Sequence, residues 1–137
     1  MRFARTTEHA IRVMVFLSNN RDAMYSVNHL HKILNIPYKY LGKLMTKLAN
    51  VGYVVVAHGT QGGYQLNQNR PPIYLYEIIN IVEGLDGYNR CILGFDDCSD
   101  NDPCSMHTFW KKHKEGINQM IQNINLEDLY KTGNFKY

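Results

Sequence analysis

From Met106 to Ile124, apolar and aromatic side chains recur at three- and four-residue intervals: Met106, Phe109, Trp110, His113, Ile117, Met120, Ile121 and Ile124. That is the period of one helix face, held for five turns. Asp102-Pro103 precedes the stripe, an acidic cap followed by the one residue whose missing N–H is harmless in a first turn. A helix of about 20 residues is about 30 Å long, the width of a small domain. A chain of 137 residues amounts to one domain or a small domain with an appendage. It can cover such a stripe with its own N-terminal helices or with a second copy of itself. The length of the stripe favours the second copy and predicts a homodimer with a coiled-coil-like seam.

The N-terminal half has a different rhythm. Thr6 and Thr7 are candidate caps for a first helix bearing Ala10, Ile11, Val13, Met14 and Leu17. Asn19-Asn20-Arg21-Asp22 reads as a turn. Ser26 can cap a second helix with Leu30, Ile33 and Leu34 on its apolar side. Asn35-Ile36-Pro37 breaks the pattern, and Pro37 suits the first position of the next helix, where its missing N–H is harmless. A third helix follows, with Leu41, Leu44, Leu48 and Val51 facing inward, and Gly52 ends it. Tyr53–Ala57 is β-branched and aromatic, His58–Gly63 is a glycine-containing tip, and Tyr64–Leu66 returns as a second strand. Ile73–Glu83 reads as helix, a glycine-flanked loop follows, and Asn125 can cap a short last helix before the tail frays at Gly133.

Helix, turn, helix and hairpin in that order make a winged helix-turn-helix, whose recognition helix needs an apolar back and polar residues for the groove. The charge agrees. Residues 1–70 carry nine Lys or Arg and two acids, and no acid lies between Asp22 and Glu77. Residues 71–137 carry six Lys or Arg against ten acids. A basic half of this kind suits a polyanion. Lys39, Tyr40 and Lys43 stand at the start of the third helix, where Lys can donate to guanine or phosphate and Tyr to phosphate. Lys47, one turn on, suits phosphate. In the tip, His58, Thr60 and Gln61 can reach the minor groove or backbone, and the glycines permit close approach. The plainer readings are a solvated helix face and a loose hairpin loop.

Cys91, Cys98 and Cys104 lie within 14 residues, separated by six and five. An odd, clustered set points to a metal or redox site rather than to a disulfide scaffold. The spacings are too long for a zinc knuckle and suit a loop around a larger inorganic core. Asp96, Asp97, Asp100 and Asp102 oppose thiolate formation, so the loop is expected to be loose when empty and ordered when loaded. Bare thiol sensing, zinc held with His107, and inert cysteines remain open as alternatives.

These residues together resemble a known family. The marks are Met1-Arg2-Phe3, Tyr40-Leu41-x-Lys43-Leu44 with Lys47-Leu48, Gly52-Tyr53-Val54, Gly59-x-x-Gly62-Gly63-Tyr64-x-Leu66, Glu83-Gly84, and Cys104-Ser105-Met106-His107-x-x-Trp110. They are similar, over nearly the whole chain, to the winged-helix regulators that include IscR, the regulator of iron–sulfur cluster assembly, and NsrR, the nitric-oxide sensor. The resemblance implies a homodimer with crossed long helices and an iron–sulfur cluster on the three cysteines, of two-iron or four-iron type. It implies a fourth ligand in one of two places: His107, three residues after the last cysteine, or Glu8 of the partner subunit. Read without the resemblance, Glu8 is a helix-start acid and His107 a helix-face residue. Three positions depart from the family. His58 stands where Arg is usual, Pro37 where a capping Ser is common, and Gly42 where an acid is used in base selection.

The expected fold is mostly α with a small β-hairpin wing, a winged helix-turn-helix plus a long C-terminal dimerisation helix. The expected organisation is a DNA-binding domain over 1–83, a cysteine-bearing sensor loop over 84–104, and a dimerisation helix with a short terminal helix over 105–137. The expected function is a cytoplasmic regulator, a repressor of transcription, that binds double-stranded DNA under the control of its cluster. No catalytic base, signal peptide or membrane span is visible. A regulator sensing through thiols or a protein partner is the alternative within the class, and a small iron–sulfur redox protein the alternative outside it.

Overall fold

The computed structural model describes residues 2–131 and 136–137. Met1 of the N-terminal mark and the fraying expected at Gly133 lie outside the described residues. Seven helices and one hairpin are described, in the order α1 (Arg5–Asn19), α2 (Val27–Leu34), α3 (Tyr38–Asn50), β1 (Val54–Ala57), β2 (Gly63–Leu66), α4 (Leu75–Val82), α5 (Asp86–Asn89), α6 (His107–Asn123) and α7 (Leu126–Lys131). The fold is the expected one, mostly helical with an antiparallel two-stranded wing.

The core forms around α1. Ala10, Val13, Met14 and Leu17 are fully buried, and Leu30, Leu34, Ile36, Leu41, Met45 and Leu48 close over them from α2, the turn and α3. Arg12 donates to the Leu34 carbonyl, which ties α1 to the end of α2. Ser26 caps α2 by accepting from the His29 amide at 3.1 Å. Asn35 takes the left-handed conformation that ends the helix, with φ 53°. Three local expectations change. Ala4, not a threonine, stands at the α1 cap, because Thr7 is turned into the core at 0% exposed. Pro37 is the cap of α3 rather than its first residue. Ile33 and Val51 are about half exposed, since each lies at the edge of its helix's apolar face.

The wing pairs Val54 with Leu66, Val55 with Gln65, Val56 with Tyr64 and Ala57 with Gly63. A third segment joins it at Tyr25, between the Asn19–Asp22 turn and the Ser26 cap. Tyr25 and Tyr64 exchange backbone hydrogen bonds of 2.9 and 2.8 Å. That exchange explains the glycine pair. A Cβ on Gly63, which has φ 145°, would lie 2.5 Å from the Tyr25 carbonyl carbon, and one on Gly62 would collide with the Ala57 carbonyl. Gly62-Gly63 is therefore demanded by the hairpin's own closure, before any close approach to DNA.

The C-terminal part is tied on by backbone. Leu75 donates to the Ile124 carbonyl and Leu126 to the Ile73 carbonyl, both at 2.9 Å, so α7 lies back on α1 and Leu126 joins the main core. Asn125 caps α7 by the reciprocal pair Asp128 N to Asn125 Oδ1 and Asn125 N to Asp128 Oδ2, each 3.0 Å. At its C-terminal end α6 packs Ile121 on Leu75 and Ile79, and farther up its Lys114 and Asn118 donate to Asn89 of α5. The N-terminal half of α6 stands beside a cleft of about 250 Å³ lined by Arg2, Glu83, Tyr88, Trp110 and Ile117. Phe109 is 70% exposed, and Met106 and Met120 are exposed as well. Among the described residues no helix is long and apolar enough to cross a membrane.

Candidate nucleic-acid interface and cysteine site

The two faces of α3 are chemically distinct. Leu41, Leu44, Met45 and Leu48 point into the core, and Lys39, Lys43 and Lys47 are exposed at intervals of four. None of these lysines pairs with a carboxylate among the described residues, so their charge is presented to solvent. Tyr40 is placed otherwise than expected. It adjoins Leu41 at the edge of the apolar face, its ring packs 5.3 Å from that of His9, and its hydroxyl donates to the Thr6 carbonyl at 3.2 Å. Burial pushes its pKa up. The proton expected to go to phosphate is directed inward, and Tyr40 joins α3 to α1. The exposed tyrosine is Tyr38, the first residue of α3, which shares a shallow groove with Lys39, Gly42, Lys43 and Thr46. Its signal in the sequence was an aromatic lying off the inward stripe beside a proline. His58, Thr60 and Gln61 are all exposed at the wing tip, where the Gly62 amide closes a turn on the Gly59 carbonyl at 3.1 Å.

The cysteine loop is closed by a small turn. The Ser99 amide donates to the Asp102 carbonyl, and the Asp102 amide to Ser99 Oγ, both at 3.2 Å. This doubling back sets the Cys104 amide 3.4 Å from Cys98 Sγ. It also delays the helix. The start expected at Pro103 is at His107, whose amide donates to the Cys104 carbonyl at 3.0 Å, and Asp102 closes the turn instead of capping α6. The three Sγ atoms lie within 4.8 Å of one another, with Cys91 and Cys104 at 3.5 Å. The loop thus gathers its three thiols among four aspartates.

The environment of the thiols is uneven. Desolvation opposes ionisation of Cys91, but the amides of Phe95 and Leu93 and the neighbouring thiols outweigh it and bring its pKa down to about 7. For Cys98 the Cys104 amide pulls downward, yet desolvation and the two other thiols carry the pKa up. One thiol of the group is therefore readier to ionise than its neighbour.

The two candidate fourth ligands sit in contrasting places. His107 Nδ1 lies 3.2 Å from Cys98 Sγ, and its Nε2 lies 2.8 Å from Asp100 Oδ1. Glu8, on α1, is held by Arg2 through contacts of 2.5 and 3.2 Å. The hydrogen bond from Arg2 is the main reason its pKa falls, against the opposing effect of desolvation. Within one chain, His107 meets the thiols and Glu8 is engaged by a cation. Three sulfurs with one imidazole nitrogen beside them form a donor set that soft or borderline metals and iron–sulfur clusters accept.

A winged helix with a bare basic face on its third helix defines a class, the DNA-binding regulators of transcription. Within that class the chain belongs to the Rrf2 family of iron-dependent transcriptional regulators, whose pattern matches residues 3–132. It is 29% identical over 131 residues to a protein of Aquifex aeolicus described as an HTH-type transcriptional regulator, covering 94% of this chain and 91% of that one. It is 26% identical over 132 residues to the HTH-type transcriptional regulator IscR of Xenorhabdus nematophila, covering 96% and 80% of the two chains. Its fold is similar to that of CymR, the global cysteine regulator of B. subtilis, with a TM-score of 0.76 at 22% identity and coverage of 98% and 99%. The family consists of regulators, not enzymes, and three adjacent thiols give this member a site able to take a metal or cluster.

Proposed function

We propose that the chain is a homodimeric repressor that holds double-stranded DNA with α3 and the wing, and that its affinity is set by an iron–sulfur cluster on Cys91, Cys98 and Cys104. The observation that carries this reading is the convergence of three sulfurs within 4.8 Å beside His107. Metal or cluster binding orders the loop that supplies its ligands, and this loop leads directly into α6. The exposed side chains of α6 favour a second copy as its cover, so a change in the loop reaches the seam that separates the two reading heads. On this reading 1–83 grips DNA, 84–104 senses, and 105–137 dimerises while returning α7 to the core. Lys39, Lys43 and Lys47 supply the cationic contacts of α3, and His58, Thr60 and Gln61 those of the wing. His107 is favoured as the fourth ligand over Glu8 of the partner subunit, because Arg2 already satisfies the Glu8 carboxylate.

The contact of 3.5 Å between the sulfurs of Cys91 and Cys104 also favours a second reading. In the cluster-free protein these two thiols are placed to join as a disulfide under an oxidant, and the regulator would then sense through thiols. Iron and sulfide analysis with an absorption spectrum of anaerobically purified protein separates the two. Visible absorption lost on Ala substitution of any one cysteine supports the cluster. Protein with reduced thiols that takes up neither iron nor sulfide excludes it and leaves the thiol reading.

A further inference from the structure

We propose that Asp100 is a positioning residue for the sensor site: it fixes the proton of His107 on Nε2, so that the bare Nδ1 faces the cysteines. The inference rests on the proposed cluster site and adds to it two residues outside the donor set. His107 is the first residue of α6, and its ring spans two partners. Nδ1 is 3.2 Å from Cys98 Sγ, and Nε2 is 2.8 Å from Asp100 Oδ1. A carboxylate accepts hydrogen bonds and does not donate them, whereas a neutral imidazole carries one N–H and one lone pair. With an acceptor facing Nε2, the proton belongs there, and the lone pair falls on Nδ1. The Cys98 thiol can donate to that lone pair in the metal-free protein. A metal site would use the same atom, because a ligating histidine donates its other ring N–H as a hydrogen bond to a carboxylate or carbonyl in most metal sites.

The carboxylate is itself held. Lys111, one turn beyond His107 on α6, donates to both oxygens of Asp100 at 2.9 Å. Asp100 lies between Cys98 and Cys104 in the chain, so the pair also latches the sensor loop onto the helix. Asp100 is 68% exposed and Lys111 45%, and ion pairs this open contribute little to folding stability. A purely structural role would therefore leave almost nothing to lose on substitution, and an effect on the cysteine site would have to come through His107.

The experiment uses the full-length protein with Asp100→Ala, Asp100→Glu and His107→Ala, in two arms. In the metal-free, reduced protein, long-range nitrogen–proton NMR reads the His107 tautomer. The proton is expected on Nε2 in the parent and in Asp100→Glu, and shared between the nitrogens in Asp100→Ala. In the cluster-loaded protein, loss of visible absorption under a chelator is expected to be about ten- to a hundredfold faster for Asp100→Ala, with Asp100→Glu restoring much of the parent lifetime. An unchanged tautomer in Asp100→Ala overturns the proposal, and so does a parent-like cluster lifetime in either Ala variant. If no variant and no parent takes up iron and sulfide, the cluster reading fails, while the tautomer arm still decides whether Asp100 positions His107.

Discussion

The winged-helix half and the cysteine-bearing half differ in how far each completes itself. Around α1 the side chains of α2, α3 and the wing's base reach full burial, and Arg12 and Tyr40 tie the helices together by donating to the Leu34 and Thr6 carbonyls. Along α6, Ile121 is the one side chain of the stripe that is buried, and Phe109 is left 70% exposed. Ile92, Leu93 and Phe95 of the cysteine loop are likewise about half exposed. The first half is a finished unit. The second presents an apolar stripe at the surface of the chain and three converging thiols. A sensor is expected to be built this way, since a segment whose structure depends on what it binds can report whether it is bound.

Substitutions can sharpen this contrast. The largest effect is expected in the winged-helix half. Leu41→Ala or Met45→Ala removes a fully buried side chain and should cost about 2–5 kcal/mol of stability in a denaturant melt. Phe109→Asp should leave the fold of each chain intact yet convert dimer to monomer in light scattering. It removes about 1.5–3 kcal/mol of apolar burial per copy and places two like charges in the seam. Monomeric parent protein at micromolar concentration would break the comparison at its base. Gly63→Ala should cost about 1–3 kcal/mol from its torsion alone, and more from the clash with Tyr25, so the wing loosens and DNA affinity falls. The smallest expected effect is that of Lys47→Ala. It should lower the slope of log affinity against log salt by about one, equally for all sequences, whereas Lys43→Ala should also blur sequence preference.

Much of the fold was legible because its signals are local. Ser26 and Asn125 act as caps where a hydroxyl or amide before an apolar run predicts one, and Leu41, Leu44 and Leu48 face inward as their spacing requires. The departures are tertiary. Thr6 and Thr7 carry the chemistry of a cap, but burial of Thr7 against the core overrides it. Pro103 signals a helix start, but the Ser99–Asp102 turn consumes those residues to bring Cys104 back to Cys98. Tyr40 and Tyr38 are two residues apart with the same side chain, and only packing against Thr6 and His9 decides which is exposed. The third wing segment at Tyr25 and the Asp100–Lys111 clamp are long-range pairings that no local pattern announces. At the cysteine site the three thiols were legible from spacing and type, while the approach of His107 to Cys98 and the pairing of Glu8 with Arg2 are tertiary contacts.

On the proposed function, the state of the cysteine site governs the grip on DNA. The most direct measurement is operator affinity of one anaerobic preparation, before and after cluster removal, at fixed salt and with dimer verified in both states. Coupling between two sites typically amounts to about 1–3 kcal/mol, so the account predicts a change of about five- to 150-fold, absent in Cys98→Ala. Equal affinity of the loaded and cluster-free dimers would contradict it.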